Sequence, residues 1–162
     1  VNYIMNILLT GGAGYIGSVT ANLLIDNGNK VIIIDNLING DKKNIPKKSI
    51  FFKANITNKK ILKKIFTNYK IDIVLHFAAF IDVAESVIKP EKYNKNNFKN
   101  SKIFFKICKE NKIKKIVFSS TAAVYGNTMK GNVSESSKKK PLSPYAISKY
   151  NTEKFLIKSS IQ

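Results

Sequence analysis

TGGAGYIGS, at Thr10–Ser18, is the stretch that decides the fold of this 162-residue chain. It lies between an apolar run, Asn6–Thr10, that reads as a buried strand, and Ser18–Asn27, which reads as a helix with Gly28 as its stop. Gly11, Gly14 and Gly17 space it as G-x-x-G-x-x-G. In such a strand-to-helix turn one glycine permits the tight bend, one lets the backbone approach a pyrophosphate, and one lets helix and strand pack closely. The helix N-terminus then offers free N–H groups and a partial positive charge, here through the amides of Tyr15 and Ile16. Glycines in a tight turn can be merely structural, but this turn sits in the context that a dinucleotide motif demands.

Outward from that turn, short apolar runs alternate with longer amphipathic stretches. Lys30–Asp35, Ser49–Lys53, Asp72–Ala78 and Lys114–Ser120 read as four more strands. Asn58–Asn68, Glu85–Asn111 (interrupted at Pro90) and Pro144–Ser160 read as helices, and Leu37–Lys48 and Asn127–Pro141 as loops. The alternation predicts an α/β fold: a doubly wound, mostly parallel sheet with helices on both faces. The length suits one domain, expected over residues 5–162, with Met5 as the natural start and Val1–Ile4 upstream of it.

Asp35 closes the second strand, 21 positions beyond Gly14. An acid at that distance accepts hydrogen bonds from both hydroxyls of an adenosine ribose and repels a 2′-phosphate. The chain has no arginine to welcome such a phosphate, so NAD is expected rather than NADP. The competing reading is a surface turn at Asp35–Asn36.

YAISK, Tyr145–Lys149, places a phenol and an amine four residues apart on one helical face. A free tyrosine has a pKa of about 10, too high for a base at neutral pH, and a nearby ammonium favours the phenolate. Tyr145 then has the properties of a general base. Y-x-x-x-K is common by chance in a lysine-rich chain. Its position argues for it: it comes after a strand ending in Ser119, Ser120 and Thr121, at the sheet edge where open α/β folds bind ligands. Those hydroxyls could also simply end the strand and cap the succeeding turn.

The formal charge of +18 invites a nucleic-acid or membrane-surface reading. All 28 basic residues are lysine, scattered among Asn and Ile, so the planar guanidinium fork that reads bases is missing. A solvated surface is expected, with neither nucleic acid nor membrane as partner. No apolar run approaches the ~20 residues that span a bilayer. One cysteine, Cys108, forms no internal disulfide and suits the cytoplasm; it reads as helix core. His76, the single histidine, reads as structural because no other ligands cluster with it, so no metal is expected.

The segments TGGAGYIGS, IDNLING, HFAAFIDVAES, KNN, SSTAAVYG and SPYAISK occur in that order. Together they resemble the extended short-chain dehydrogenase/reductases that act on nucleotide sugars, the 4-epimerases in particular, over nearly the whole chain from Met5. The resemblance implies a Rossmann-type NAD-binding domain that ends before a C-terminal substrate domain. It also implies tightly held NAD, a UDP-sugar substrate and a cytoplasmic homodimer. The implied reaction interconverts UDP-glucose and UDP-galactose by oxidation at sugar C4, rotation of the 4-keto intermediate and re-reduction.

Carried over by position, Tyr145 is the catalytic base and Lys149 its electrostatic partner, while Thr121 hydrogen-bonds the reacting hydroxyl. Thr121 and Tyr145 are thus also substrate contacts, and Tyr145 and Lys149 also contact the cofactor, Lys149 at the nicotinamide ribose. Asp35, Asn36, Leu37, Ile38, Asn39 and Gly40 surround the adenosine ribose. Asn55 and Ile56 lie at the adenine. Phe77, Ala78, Ala79, Phe80 and Ile81 wall the cofactor, with Asn96 and Ser119 as further contacts. Two positions depart from the family pattern. Asn55 replaces the usual Asp, its carbonyl expected to accept from the adenine amino group, and Ile81 stands where some epimerases place a cofactor-reaching lysine. Ala122 and Ala123 replace the Asp–Glu pair of the related 4,6-dehydratases, which argues against dehydration; related decarboxylases and reductases stay open.

Overall fold

A computed structural model describes residues 4–127 and 132–160 of the chain. Five parallel strands form one sheet in the order β3-β2-β1-β4-β5. They are β1 (Asn6–Thr10), β2 (Lys30–Asp35), β3 (Ile50–Lys53), β4 (Ile73–His76) and β5 (Ile116–Phe118). Thr10 pairs in register with Ile34 on one side and His76 on the other, so the strands end together. The chain leaves β1 toward β2 and later returns to β4 on β1's other side. That reversal opens a crevice at the carboxyl ends of β1 and β4, where such sheets bind ligands.

The strands are apolar on both faces because both are covered. On one face Leu9, Val31 and Ile33 pack with Ala21 of α1 (Tyr15–Asp26), joined by Leu24, Ile25, Phe51 and Leu75. On the other face lie Thr10, His76 and Phe118, which share a register. There the His76 ring stacks on Phe104 of α5 (Asn100–Glu110) and on Phe118, and meets Phe105 edge-on. The fold is therefore the predicted doubly wound parallel one. Helix α2 (Lys59–Asn68) is capped by the Asn58 side chain, which accepts from the Ile61 N–H.

Several boundaries differ from expectation. Helix α1 begins at Tyr15 rather than Ser18, because extended Gly14 already serves as its N-cap and its carbonyl accepts the first helical bond from Ser18. Gly28, at φ +83°, ends that helix as expected. The stretch expected as one helix from Glu85 is divided. It forms α3 (Val83–Ile88), α4 (Pro90–Tyr93), a π-helical turn at Asn94–Lys99, and α5. Pro90 cannot donate an N–H and starts a new helix. Part of the loop expected at Asn127–Pro141 lies outside the described residues.

The chain falls into two compact units. The first holds residues 1–78 and 103–119, and with them the sheet. The second holds residues 79–102 and 120–162, including α3, α4, the π-turn and α6 (Pro144–Ser160). Within it α6 packs on the π-turn, on α3 and α4, and on a 3-10 turn at Ala122–Tyr125. Among the described residues no helix is long and apolar enough to cross a membrane.

Phe104 is fully buried against His76. Phe104→Ala is expected to lower stability by about 3–5 kcal/mol, read as a fall in the urea midpoint at constant slope.

Candidate functional site

The first unit builds a cradle from the glycine turn. Gly11, at φ +75°, sits where the backbone of Phe77 and Ala78 passes; a Cβ there would fall 2.6 Å from the Ala78 nitrogen. A Cβ on Gly17 would fall 2.2 Å from the Gly11 carbonyl oxygen, so this glycine lets α1 close onto the turn. Gly14 differs: its nearest neighbour would be 3.4 Å away, an ordinary contact. No protein atom therefore requires a glycine here. Tyr15 and Ile16 are exposed beside it, and an α-helix leaves its first-turn N–H groups without internal partners. Gly12, outside the spaced motif, is needed too, because its Cβ would meet the Ile33 side chain at 2.5 Å.

Asp35 ties this turn to the end of β2. One carboxylate oxygen accepts from the Ala13 N–H at 3.0 Å, the other from the Leu37 N–H at 2.8 Å. Each oxygen keeps a lone pair for a further donor. The carboxylate is thus oriented, nearly buried, and able to accept two ribose hydroxyls. It is not a loose surface turn. Leu37 is held at φ +61°, a conformation that non-glycine residues rarely adopt, and Asn36 accepts from the Ile38 N–H. Asp41 and Asn44 donate back to the Ala13 carbonyl, and Gly40 packs against Ala13 so closely that a Cβ would fall 2.6 Å from the alanine methyl. The segment from Asp35 to Gly40 is therefore fastened to the glycine turn, with Ile38 exposed.

Asn55 follows β3. Its side-chain oxygen accepts from both the N–H and the hydroxyl of Thr57, at 3.0 and 2.9 Å. That oxygen is occupied, so the group this side chain offers a ligand is its NH₂, a donor, where an acceptor was expected. Ile56 beside it is buried. Ser119 donates its N–H to the His76 carbonyl at the end of β5. His76 itself is buried, hydrogen-bonded to the Thr10 hydroxyl at 2.7 Å and sandwiched by phenyl rings, a structural role. No cluster of potential metal ligands exists among the described residues. Cys108 is buried, and burial pushes its thiol up to about 12, far from reactive.

The second unit holds the hydroxyl, the phenol and the amine. Thr121 caps the 3-10 turn, its oxygen accepting from the Ala123 N–H at 3.2 Å. A capping hydroxyl still has its own hydrogen to donate. Helix α6 starts at Pro144, with the Ser143 hydroxyl accepting from the Ala146 N–H, so Tyr145 lies in its first turn and Lys149 in its second. Ser148 and Thr152, on a buried face of α6, are fixed to the π-turn through Asn97. The Asn97 amide donates to the Ser148 hydroxyl and to the Phe80 carbonyl, and its oxygen accepts from the Phe80 N–H. The Thr152 hydroxyl bonds the Asn97 carbonyl. Asn96, expected as a contact, donates to Asn97, so Asn97 organises the segment carrying Ala79, Phe80 and Ile81. Ile81 itself is exposed. Nothing in the local pattern distinguished Asn97 from Asn96; the π-turn that aims it inward only appears with the tertiary packing.

Lys149 is only 3% exposed. Desolvation pushes its ammonium down to about 8, opposed by the charge of Glu153 one turn further on. An unfolded lysine titrates at 10.5, so the unfolded chain binds more protons between those values. Burying this cation therefore costs roughly 3 kcal/mol below pH 8, and the cost fades as pH rises to 10.5. Strongly shifted groups cluster at functional sites, and structural ion-pair networks shift them too.

The family model described as NAD dependent epimerase/dehydratase matches residues 7–160. The UDP-glucose 4-epimerase of Streptomyces lividans is 41% identical over 143 residues, 88% of this chain and 44% of its own length. The solved UDP-glucose 4-epimerase of Thermotoga maritima, with UDP-glucose, superposes with a TM-score of 0.91 at 37% identity, over 98% of this chain and 52% of its own. That of Brucella ovis, in complex with NAD, gives 0.92 at 32%, over 97% and 48%. The chain spans about half the length of the relatives it matches.

The geometry sets two expected outcomes. Gly17→Ala is expected to cost about 1–3 kcal/mol in urea unfolding, while Gly14→Ala stays within ~1 kcal/mol, since the first new methyl would overlap the Gly11 carbonyl oxygen and the second would only touch it. Lys149→Met is expected to be more stable than wild type by about 2–3 kcal/mol at pH 7, the gap narrowing between pH 8 and 10.5 in unfolding curves taken across that range.

Proposed function

The chain belongs to the NAD dependent epimerase/dehydratase family, and from that premise we propose that the whole protein interconverts UDP-glucose and UDP-galactose as a cytoplasmic homodimer that retains NAD. The observation that carries the reading is the buried Lys149 amine one helical turn from Tyr145, kept in place at a cost in stability.

The first unit's residues fit NAD. An open Gly14 and the first-turn amides of Tyr15 and Ile16 suit a pyrophosphate, and the pre-oriented Asp35 carboxylate suits a ribose diol free of phosphate. Gly11 and Gly17 hold that turn shut, and Phe77 and Ala78 back it. When bound, NAD supplies a reversible acceptor for the hydrogen at sugar C4. In the second unit Tyr145 takes the proton of the sugar 4-hydroxyl and later returns it. Thr121 donates its free hydrogen to that oxygen and orients it. Lys149, as the ammonium, stabilises the Tyr145 phenolate and lowers the barrier to proton removal. Ala122 and Ala123 after Thr121 carry no proton-transfer group, which supports epimerisation over elimination of water.

The test is NMR of a UDP-sugar incubated with the whole protein and NAD. UDP-galactose and UDP-glucose are expected to equilibrate, Tyr145→Phe to lower kcat by about 10²–10⁴-fold, and Asp35→Ala to weaken NAD roughly tenfold or more with kcat at saturation little changed. Wild-type protein that binds NAD yet leaves both sugars unchanged would refute the proposal.

A further inference from the structure

Glu153 has no part in the mechanism above, yet it joins the elements that build that site in the second unit. Its carboxylate accepts a hydrogen bond from the Ser120 hydroxyl, and Ser120 directly precedes Thr121. Its other oxygen lies 3.8 Å from the Lys139 ammonium, which in turn sits 5.9 Å from the centre of the Tyr125 ring at the end of the 3-10 turn. The side chain is 18% exposed, so these contacts are largely shielded from solvent. On α6 it stands one turn after Lys149 and two after Tyr145.

We propose that Glu153 is a positioning residue for Thr121, Tyr145 and Lys149: it fastens the strand end that carries Thr121 to α6 and places a counter-charge one helical turn from Lys149. The catalytic half of this statement rests on the function proposed above; the electrostatic half does not.

Two observations support it independently. The Ser120 bond spans 33 residues and joins the segment bearing Thr121 to the helix bearing Tyr145 and Lys149. A loss of that bond frees the Thr121 segment from α6 on one side. Second, Lys149 is buried, and the charge that opposes its desolvation is that of Glu153. The elements packed on α6 bring other charged groups. From α3 and α4 come Glu85, Glu91 and Lys92, with Glu85 engaged by Lys89, Lys92 and Tyr93. The π-turn brings Lys95 and Lys99, and the 3-10 turn brings Tyr125. The loop before α6 adds Lys139, and α6 itself adds Tyr145 and Lys154. Of these groups Glu153 stands one turn from Lys149 on α6, and its charge opposes the desolvation that lowers that ammonium.

Two substitutions separate the two roles. Glu153→Gln keeps an acceptor for the Ser120 hydroxyl and removes the charge; Ser120→Ala keeps the charge and removes the bond. Lysines are labelled biosynthetically with ¹³C and ¹⁵N, and the Lys149 side-chain signal, assigned by its absence in Lys149→Arg, is titrated in the 162-residue chain without ligand. In Glu153→Gln the Lys149 midpoint is expected to fall by about half a unit or more; in Ser120→Ala it is expected to stay within ~0.2. In turnover by the whole protein, Ser120→Ala is expected to lose about tenfold in kcat with KM little changed, and Glu153→Gln to keep wild-type kcat at about pH 6.5 while its alkaline limb moves to lower pH. Circular dichroism confirms that each variant is folded. An unmoved Lys149 midpoint in Glu153→Gln, or wild-type kcat in Ser120→Ala, overturns the inference. A wild-type protein that shows the Lys149 titration but no turnover instead overturns the proposed function and leaves the charge coupling standing.

Discussion

The carboxylate of Asp35 is the constraint from which the first unit is arranged. It is one side chain at the end of β2, yet it holds the N–H of Ala13 in the glycine turn and the N–H of Leu37 in the next loop. It works with the bonds from Asp41 and Asn44 to the Ala13 carbonyl, which join the same two loops. Because its two oxygens are fixed by backbone donors, its remaining lone pairs point in set directions. A carboxylate oriented in advance loses little entropy on accepting two further hydroxyls. Leu37, held at φ +61°, donates its N–H to that same carboxylate.

The second unit shows a different balance. Lys149 is 3% exposed, and desolvation pushes its ammonium down to about 8, against the charge of Glu153. Around it the polar groups are satisfied with care. Asn97 clamps both backbone groups of Phe80 and reaches Ser148, and Thr152 bonds the Asn97 carbonyl. Such a network is stable only when every member is paired, and among the described residues no buried side-chain polar atom lacks a partner. It fixes α6 against the π-turn, and so fixes the helix that bears Tyr145 and Lys149.

Much of this was legible in the residues. The β-branched run at Lys30–Asp35 and the glycines at Thr10–Ser18 foretold a parallel strand, a turn and a helix, because period and turn chemistry are local properties. Asp35 was legible from its spacing to Gly14. Other features were not. The helix starting at Tyr15 depends on Gly14 acting as a cap, a backbone conformation that the motif does not specify. The π-turn and Asn97 depend on what α6 offers across the packing inside the second unit. Asn55 reads as an acceptor by type, and only the neighbouring Thr57 turns its oxygen away. Glu153 is one charge among many in the sequence, and its place between Ser120 and Lys139 is a product of tertiary packing.

If the whole protein acts as proposed, one and the same hydrogen leaves sugar C4 and returns to it, while Tyr145 handles only the hydroxyl proton. UDP-galactose carrying deuterium at C4, incubated with the whole protein and NAD in ordinary water, tests this directly. UDP-glucose that retains the deuterium at C4 is expected. Product in which that label has been replaced by solvent hydrogen, or no UDP-glucose at all, would contradict it.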